Sequence, residues 1–294
     1  MKPSQRDSIY LEQARIISHE AFSGDQYILR VHAPDCASYA RAGQFAHLQC
    51  DPALPMRRPL SIMRVNSAAG WVDFLYKAIG KGTRLLSQRK PDEQLSILGP
   101  IGVPFSFDPQ RPRALLLGGG VGIPPMVFLA EELRNAGDYQ PLVLMGSEVP
   151  FPFTTQPSTI IVPGLPDGTI AAMPLMEDWK IPSRLASLQN FPGCYDGYIT
   201  DLARHWIGSL DETQRNEISV YACGPHAMLA ACAALASEFD LPCQISLEEY
   251  MACAVGGCAG CVVKVETENG PAMQRVCVDG PVFEAKTVFT NLPA

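Results

Sequence analysis

Four cysteines near the C-terminus are spaced so that their thiolates could share one inorganic centre. They stand at positions 253, 258, 261 and 277, which gives the pattern C-x4-C-x2-C-x15-C. The first three match the spacing of plant-type [2Fe–2S] ligands. Small residues fill the loop, as is needed where the backbone must approach cluster sulfur closely. The pattern therefore predicts a [2Fe–2S] cluster bound by Cys253, Cys258, Cys261 and Cys277.

Two other interpretations of these cysteines stay open at this point. Four thiolates also suit zinc, although zinc sites more often use two C-x2-C pairs and this sequence has one. The four thiols could instead be free and buried. The run of alanine and glycine between Cys253 and Cys261 favours the cluster over both alternatives.

A second group of residues could bind a pyrophosphate and a flavin ring. The segment Arg58–Ser61 is followed by Tyr76 and then by Gly82 and Thr83 at a predicted helix start. A cation and a helix N-terminus can share one pyrophosphate, and a glycine lets the backbone come close to it. Ser61 could donate a hydrogen bond to a ring nitrogen. The predicted flavin contacts are Arg58, Pro59, Leu60, Ser61, Tyr76, Gly82 and Thr83. An ordinary turn before a capped helix is the alternative interpretation.

A third group is typical of dinucleotide binding. The glycine turn Gly118–Gly122 lies between a short apolar strand pattern at 114–117 and a helical stretch that ends near Ala136. Glycines in this context can cradle a diphosphate, although Ile123 stands where the Rossmann fingerprint has its third glycine. A later strand, 218–222, ends in a Cys-Gly-Pro turn, and ligands bind where parallel strands end. The predicted contacts with NAD(H) are Gly118, Gly119, Gly120, Gly122, Cys223, Gly224 and Pro225.

The nucleotide interpretation also has a simpler alternative. An ordinary glycine turn and a small buried cysteine would explain the same residues. Ser147 and Glu148 follow the second predicted parallel strand. A carboxylate there suits a ribose hydroxyl better than a 2′-phosphate, and no arginine is adjacent. If a nucleotide binds, the sequence favours NADH over NADPH.

Composition and the remaining motifs disfavour several other functions. The net charge of −7 argues against nucleic-acid binding, and the apolar stretches are too short to span a membrane. The sequence contains neither G-x-S-x-G nor H-E-x-x-H, so a hydrolase has no support. Four histidines without ligand spacing are expected at the surface or in the core: His19, His32, His47 and His205. Ten cysteines without an apolar N-terminal signal predict a reducing compartment, and we expect a cytoplasmic protein.

The elements that must position these residues follow from the hydrophobic pattern. Residues 10–102 contain several short strand patterns separated by turns, typical of an antiparallel barrel or sandwich, with one helix from Thr83 to about Gln88. Beyond residue 109, the order strand, glycine turn, helix, strand predicts a parallel α/β domain. Eight prolines within 150–192 predict an irregular insertion, and the tail after Glu248 is predicted to be a small separate module.

These motifs, in this order, resemble the ferredoxin–NADP reductase superfamily, in which a flavin-binding β-barrel precedes a nicotinamide-binding α/β domain. The cysteine module is similar to that of the electron-transfer subunits of heteromeric, NAD-dependent dihydroorotate dehydrogenases. Many members of the wider superfamily have tyrosine before the serine of the flavin motif, whereas Leu60 agrees with the dihydroorotate group. The resemblance implies three domains: 1–108 binds FAD, 109–245 with the insertion 150–192 binds NAD, and 246–294 holds the cluster.

The resemblance also implies a function, an electron relay. NADH delivers two electrons as a hydride whereas the cluster accepts one at a time, so the flavin would split the pair. The partner would be an FMN-containing dihydroorotate dehydrogenase subunit of pyrimidine biosynthesis, and no residue of this chain is expected to act as a catalytic acid or base. The motifs leave open other acceptors, namely sulfite, a hydrogenase or ferredoxin. They also leave open a flavin–cluster relay without nicotinamide, because the insertion lies where the adenosine end of NAD would bind.

Overall fold

The structure is a computed structural model that describes residues 8–290, and these form two compact units. The first unit comprises 8–105 and 247–282, and the second comprises 106–246 and 283–290. All four predicted cluster ligands therefore belong to the same unit as the N-terminal third of the chain. Within the described residues, no helix is both long enough and apolar enough to cross a bilayer.

The first unit contains a closed barrel of six antiparallel strands. Its elements are β1 (Tyr10–Phe22), β2 (Gln26–His32), α1 (Pro34–Tyr39), β3 (Phe45–Gln49), β4 (Arg58–Asn66), β5 (Trp71–Lys77), α2 (Lys81–Leu86) and β6 (Gln94–Ile101). The strand order around the barrel is β1-β2-β5-β4-β3-β6. Alternate residues of β2, such as Leu29 and Val31, are fully buried. The predicted antiparallel barrel is confirmed, and its short helix begins at Lys81 rather than Thr83.

The second unit is built on a parallel sheet. Its elements are β7 (Arg113–Gly119), α3 (Ile123–Ala136), β8 (Gln140–Gly146), β9 (Gln156–Pro157), β10 (Ala171–Ala172), α4 (Pro174–Asp178), β11 (Ser183–Ala186), α5 (Ile199–Gly208), α6 (Glu212–Asn216), β12 (Ile218–Cys223), α7 (His226–Glu238) and β13 (Cys243–Ser246). The parallel strands lie in the order β11-β8-β7-β12-β13. The direction of strand addition reverses between β7 and β12, and ligands bind at such a switch point in open α/β sheets. The predicted parallel α/β domain is confirmed.

The proline-rich region is more regular than the sequence predicts. Although β9, β10 and α4 are short, β11 pairs in parallel with β8 and forms an edge of the main sheet. All four residues of β11 are buried. The prediction of an irregular insertion is wrong for β11, because a strand of four residues with serine and arginine does not show the apolar run of a buried strand.

Two buried charged side chains hold the rest of this region together. Arg184 donates to the carbonyl oxygens of Thr169 at 2.9 Å and Ile160 at 2.7 Å. Glu177 accepts a hydrogen bond from the Ser158 hydroxyl at 2.6 Å. Burial would raise the pKa of Glu177, but hydrogen bonds from Ser158 and Thr159 outweigh burial and lower it. The loops of this region therefore have fixed polar anchors despite their many prolines.

The C-terminal segment adds a hairpin to the first unit. The remaining elements are β14 (Val262–Thr267), β15 (Gly270–Arg275), β16 (Val282–Glu284) and α8 (Ala285–Val288). The strands β14 and β15 pair antiparallel, and β16 lies beside β13 in the main sheet. The Val103 N–H donates to the Gly280 carbonyl at 2.6 Å, which ties the segment to the N-terminal part of its own unit.

Candidate electron-transfer site

The hairpin brings two of the four cysteines together. Cys261 directly precedes β14 and Cys277 follows β15, and the two strands begin their pairing at Val262 and Arg275. The Val276 N–H donates to the Cys261 carbonyl at 2.9 Å. The two cysteines are only 3% and 1% exposed, and their thiols form a hydrogen bond with each other. The hairpin therefore supplies one buried thiol pair.

The loop before the hairpin brings the other two cysteines together. The Cys258 N–H donates to the Cys253 sulfur at 3.4 Å, and the Gly260 N–H donates to the Cys258 sulfur at 3.4 Å. Ala254 and Ala259 have φ values of 57° and 51°, a conformation that disfavours bulky side chains. Small residues are thus required for the loop to turn its amides toward sulfur.

The two thiol pairs differ in their electrostatic environment. Burial would raise the pKa of Cys253, but N–H donation from the backbone of Val255 and Cys258 outweighs burial and lowers it to about 7. Burial, followed by the neighbouring Cys261 thiol, raises the pKa of Cys277 to about 12. Because metal ligation requires thiolates, a bound centre would displace the proton of the buried pair.

These four cysteines fit a [2Fe–2S] cluster. Each thiol pair can supply the two ligands of one iron, and backbone amides already point at the sulfurs of Cys253 and Cys258. Within residues 8–290, no three His, Cys, Asp or Glu side chains converge closely enough to hold a single metal ion. The predicted ligand set is therefore brought together as two pairs.

Arg275 is a functional candidate that the sequence analysis missed. Its guanidinium donates to the Gly256 carbonyl at 3.1 Å and to the Asp279 carboxylate at 3.1 Å. It thereby ties the cysteine loop to the end of the hairpin and places a positive charge beside the thiols. The alternation of Arg275, Cys277 and Asp279 along the chain is the only signal that could have indicated this role.

The predicted flavin segments meet at one surface of the barrel. A Cβ on Gly82 would lie 2.8 Å from Nε of Arg58, so the guanidinium packs directly over this glycine. The residues Arg58–Ser61 are half-buried, although β3, which pairs with them, is almost wholly buried. Thr83 accepts a hydrogen bond from the Gly80 N–H at 3.1 Å and so caps α2. A cation, a glycine and a capped helix start are thus adjacent, and this arrangement fits a pyrophosphate.

Tyr76 is buried, unlike the half-buried residues of this surface. It is only 2% exposed, its ring stacks on Tyr27 at 5.4 Å, and its hydroxyl bonds Nε2 of His19 at 2.8 Å. Because Nδ1 of His19 faces the Arg89 carbonyl at 2.8 Å, Nδ1 carries the proton and Nε2 accepts from the tyrosine. The geometry gives Tyr76 a packing role, and its contact with flavin stays a prediction.

The predicted nicotinamide segments meet at the switch point of the sheet. Gly118 and Cys223 are partners in the pairing of β7 with β12. A Cβ on Gly122 would collide with the Cys223 carbonyl, and a Cβ on Gly119 would collide with Met228 at the start of α7. Only glycine therefore allows the two turns to pack this closely. The carboxyl ends of β7 and β12 therefore lie side by side, an arrangement that suits dinucleotide binding.

Other predicted nicotinamide residues have more varied surroundings. Cys223 is fully buried, so its predicted position against the nicotinamide stays a prediction. Pro225 occupies the N-cap position of α7, which begins at His226. Ser147 is buried with its hydroxyl donating to the Val149 carbonyl at 2.7 Å, whereas the neighbouring Glu148 is exposed. Of these two residues after β8, only Glu148 has an exposed side chain that a ribose could contact.

Comparison with known proteins places these features in a family. A family model described as the iron–sulfur cluster binding domain of dihydroorotate dehydrogenase B matches residues 248–289. The electron transfer subunit of dihydroorotate dehydrogenase B (NAD(+)) from Geobacillus thermodenitrificans is 34% identical over 286 residues, covering 94% of this chain and 98% of the relative. The chain belongs to this family of electron transfer subunits. The subunit of the same name from Desulforamulus reducens is 29% identical over 284 residues, covering 92% and 95% of the two chains.

Solved structures share the fold of this electron transfer subunit. The NADH-dependent reduced ferredoxin-NADP oxidoreductase superposes with a TM-score of 0.76 at 24% identity, covering 94% of this chain and 90% of that one. Phthalate dioxygenase reductase superposes with a TM-score of 0.56 at 15% identity, covering 93% and 95%. The predicted fold, a barrel followed by an α/β domain and a small cysteine module, is confirmed.

Proposed function

We propose that this electron transfer subunit passes electrons between NAD(H), FAD, one [2Fe–2S] cluster and the FMN-containing subunit of dihydroorotate dehydrogenase B, in pyrimidine biosynthesis. The observation that carries the proposal is the pairing of four cysteines in the same compact unit as the flavin segments. When bound, the flavin exchanges a hydride with nicotinamide and single electrons with the cluster. The side chains of this chain bind and orient these groups.

Arg58 and the start of α2 hold the pyrophosphate of the flavin in this proposal. The guanidinium packs against Gly82, which has no Cβ, so the cation and the backbone at the start of α2 lie together and can bind one phosphate. Pro59, Leu60 and Ser61 continue along the same half-buried strand, where the ring would lie. Arg58 acts as a charge-assisted donor, the strongest kind of phosphate contact in proteins.

The two turns at the switch point hold the nicotinamide dinucleotide. Gly118–Gly122 lets the diphosphate approach the backbone at the start of α3. The turn Cys223–Pro225 forms the other side of the nucleotide site. The exposed carboxylate of Glu148 accepts from a ribose hydroxyl and disfavours a 2′-phosphate, so NADH is the preferred nucleotide.

The cysteine loop is the surface at which electrons pass between this chain and its partner. Cys258 is exposed, whereas the hairpin pair is buried. Apolar side chains on the same segment are also exposed: Tyr250 by 95%, Met273 by 63% and Val255 by 43%. Exposed apolar residues around a redox loop suit a protein partner, because their burial would drive docking and shield the electron path from water.

The cytoplasm is the location that we propose for this complex. All ten cysteines lie within the described residues, and none of them forms a disulfide. Unpaired cysteines in this number are typical of a reducing compartment.

An anaerobic pull-down of the native chain, with partners identified by mass spectrometry, tests the proposed partner. We expect the FMN-containing dihydroorotate dehydrogenase subunit, and we expect Tyr250→Ala to recover less of it. Loss of an exposed aromatic anchor weakens binding by about tenfold or more where the anchor is central. Ile161→Ala, which truncates a side chain that is 88% exposed in the proline-rich region, is the matched control. Recovery of a sulfite reductase or hydrogenase subunit instead would contradict the proposed acceptor.

A further inference from the structure

His47 is a buried histidine that the predicted cofactor contacts do not use. It lies in β3, is only 1% exposed, and pairs across the ladder with Pro59 of the flavin strand. In the described part of the chain neither ring nitrogen has a hydrogen-bond partner. An unpaired polar group in the core is destabilising, so such a residue calls for an explanation.

Backbone groups of two segments lie within reach of the ring, although neither makes a hydrogen bond of good geometry with it. The imidazole faces the backbone of Met251 and of Arg57. Met251 stands shortly before Cys253 in the sequence, so the ring lies between the flavin strand and the start of the cysteine loop. All of these residues belong to the first compact unit.

The surroundings keep the ring neutral. Burial, followed by the positive charge of Arg57, lowers the pKa of His47 to about 4. Arg57 itself is committed elsewhere, since its guanidinium donates to the His47 carbonyl at 3.1 Å and to the Ser96 carbonyl at 2.7 Å. A neutral imidazole has one N–H donor and one acceptor, and a backbone carbonyl can take the donor.

We infer that His47 is a positioning residue that joins the two cofactor sites of this unit. Its N–H donates to the Met251 carbonyl when both cofactors are bound, and this bond holds the start of the cysteine loop against the flavin strand. The bond thereby sets the gap that single electrons cross, while His47 itself exchanges neither a proton nor an electron. The inference rests on the proposed function, because it needs both FAD and the cluster in place.

The test compares His47→Phe, which keeps the ring shape without polar atoms, with His47→Gln, which keeps one donor and one acceptor. His32→Gln, at an exposed histidine of the same barrel, is the control. The purified holoproteins are assayed for FAD, iron and sulfide, for the EPR spectrum and midpoint potential of the reduced cluster, and for hydrogen exchange of residues 248–258.

The inference predicts a selective effect of His47→Phe. FAD and iron content stay at the wild-type level, the cluster spectrum and potential shift, and amides of 248–258 exchange about tenfold faster, as expected for loss of one buried hydrogen bond. His47→Gln restores the wild-type spectrum and exchange. A packing role alone would leave the potential of the cluster unchanged in all variants, and that result would overturn the inference.

Two outcomes separate the inference from the function on which it rests. A wild-type protein without FAD or cluster defeats the proposed function, whereas a normal wild type with a normal His47→Phe defeats only the inference. If His47→Phe does not fold, His47→Asn and His47→Gln decide instead, because their amides mimic different ring nitrogens. The inference then requires one of them to match the wild-type EPR spectrum and the other to differ, and any other pattern contradicts it.

Discussion

At the scale of single residues, we expect the proposed cysteine ligands to be needed for the cluster but not for FAD. Replacement of Cys258 by serine removes one thiolate of the loop pair Cys253 and Cys258 and does not touch the barrel surface around Arg58. We expect iron and sulfide content to fall while FAD stays bound, as measured by colorimetric analysis and flavin absorbance. Cys194→Ser, at a half-buried cysteine of the other unit, is the control. Unchanged iron in Cys258→Ser would refute the ligand assignment.

Two glycines at the start of α2 provide a matched pair for the flavin site. A Cβ on Gly82 would press on the Arg58 guanidinium, whereas a Cβ on Gly80 would meet no atom within 4 Å. We expect Gly82→Ala to lose FAD during gel filtration, because a displaced charge-assisted phosphate contact costs on the order of 1.5–3 kcal/mol. Gly80→Ala should keep its flavin. Equal retention by both variants would argue against the phosphate cradle.

The buried imidazole of His47 makes stability depend on pH. Burial and Arg57 lower its pKa from 6.5 to about 4, so between these values the unfolded chain binds a proton that the folded chain does not. The free energy of unfolding therefore falls as the pH drops from 6.5 toward 4, by on the order of 3 kcal/mol for this group. Thermal unfolding at pH 7 and pH 5, followed by flavin fluorescence, measures this loss.

The comparison of variants isolates the contribution of this one histidine. His47→Gln cannot titrate, so its melting temperature should fall less between pH 7 and pH 5 than that of the wild type. His32→Gln should keep the wild-type dependence, since His32 is exposed. Identical pH dependence in wild type and His47→Gln would contradict a lowered pKa of His47.

At the scale of elements, the junction of β7, α3 and β12 is the proposed nicotinamide site. A methyl group on Gly122 would collide with the backbone of Cys223 and force the two turns apart. We expect Gly122→Ala to bind FAD and to be reduced by dithionite, but to lose flavin reduction by NADH in stopped-flow absorbance. Gly208→Ala, which has open space at the end of α5, should react as the wild type does. Normal reduction of Gly122→Ala by NADH would rule out this junction as the nucleotide site.

Elements with a strong local pattern were predictable from the sequence. The alternation around Leu29 and Val31, the glycine turn after β7 and the spacing of the cysteines each reflect contacts between residues close in the chain. The strand β11 was not predictable, because its burial depends on β8 and not on its own composition. His47 and Arg275 were missed for a related reason, since their roles come from backbone groups of other segments.

At the scale of the whole molecule, the cysteine segment belongs with the barrel. The sequence suggests a separate tail after Glu248, but the described residues 247–282 group with 8–105. The backbone bond from the Val103 N–H to the Gly280 carbonyl, at 2.6 Å, connects this segment to the 8–105 part of the unit. The assignment of 1–108, 109–245 and 246–294 to three cofactors stays a prediction, to be judged by cofactor content of the variants above.

The relay from NADH through FAD to the cluster is the central claim, and an anaerobic titration of the wild-type protein with NADH tests it most directly. Visible absorbance reports the flavin and low-temperature EPR reports the reduced cluster in the same samples. We expect NADH to bleach the flavin and to produce the EPR signal of a reduced [2Fe–2S] cluster, as dithionite does. A visible spectrum that NADH leaves unchanged while dithionite bleaches it would refute this relay.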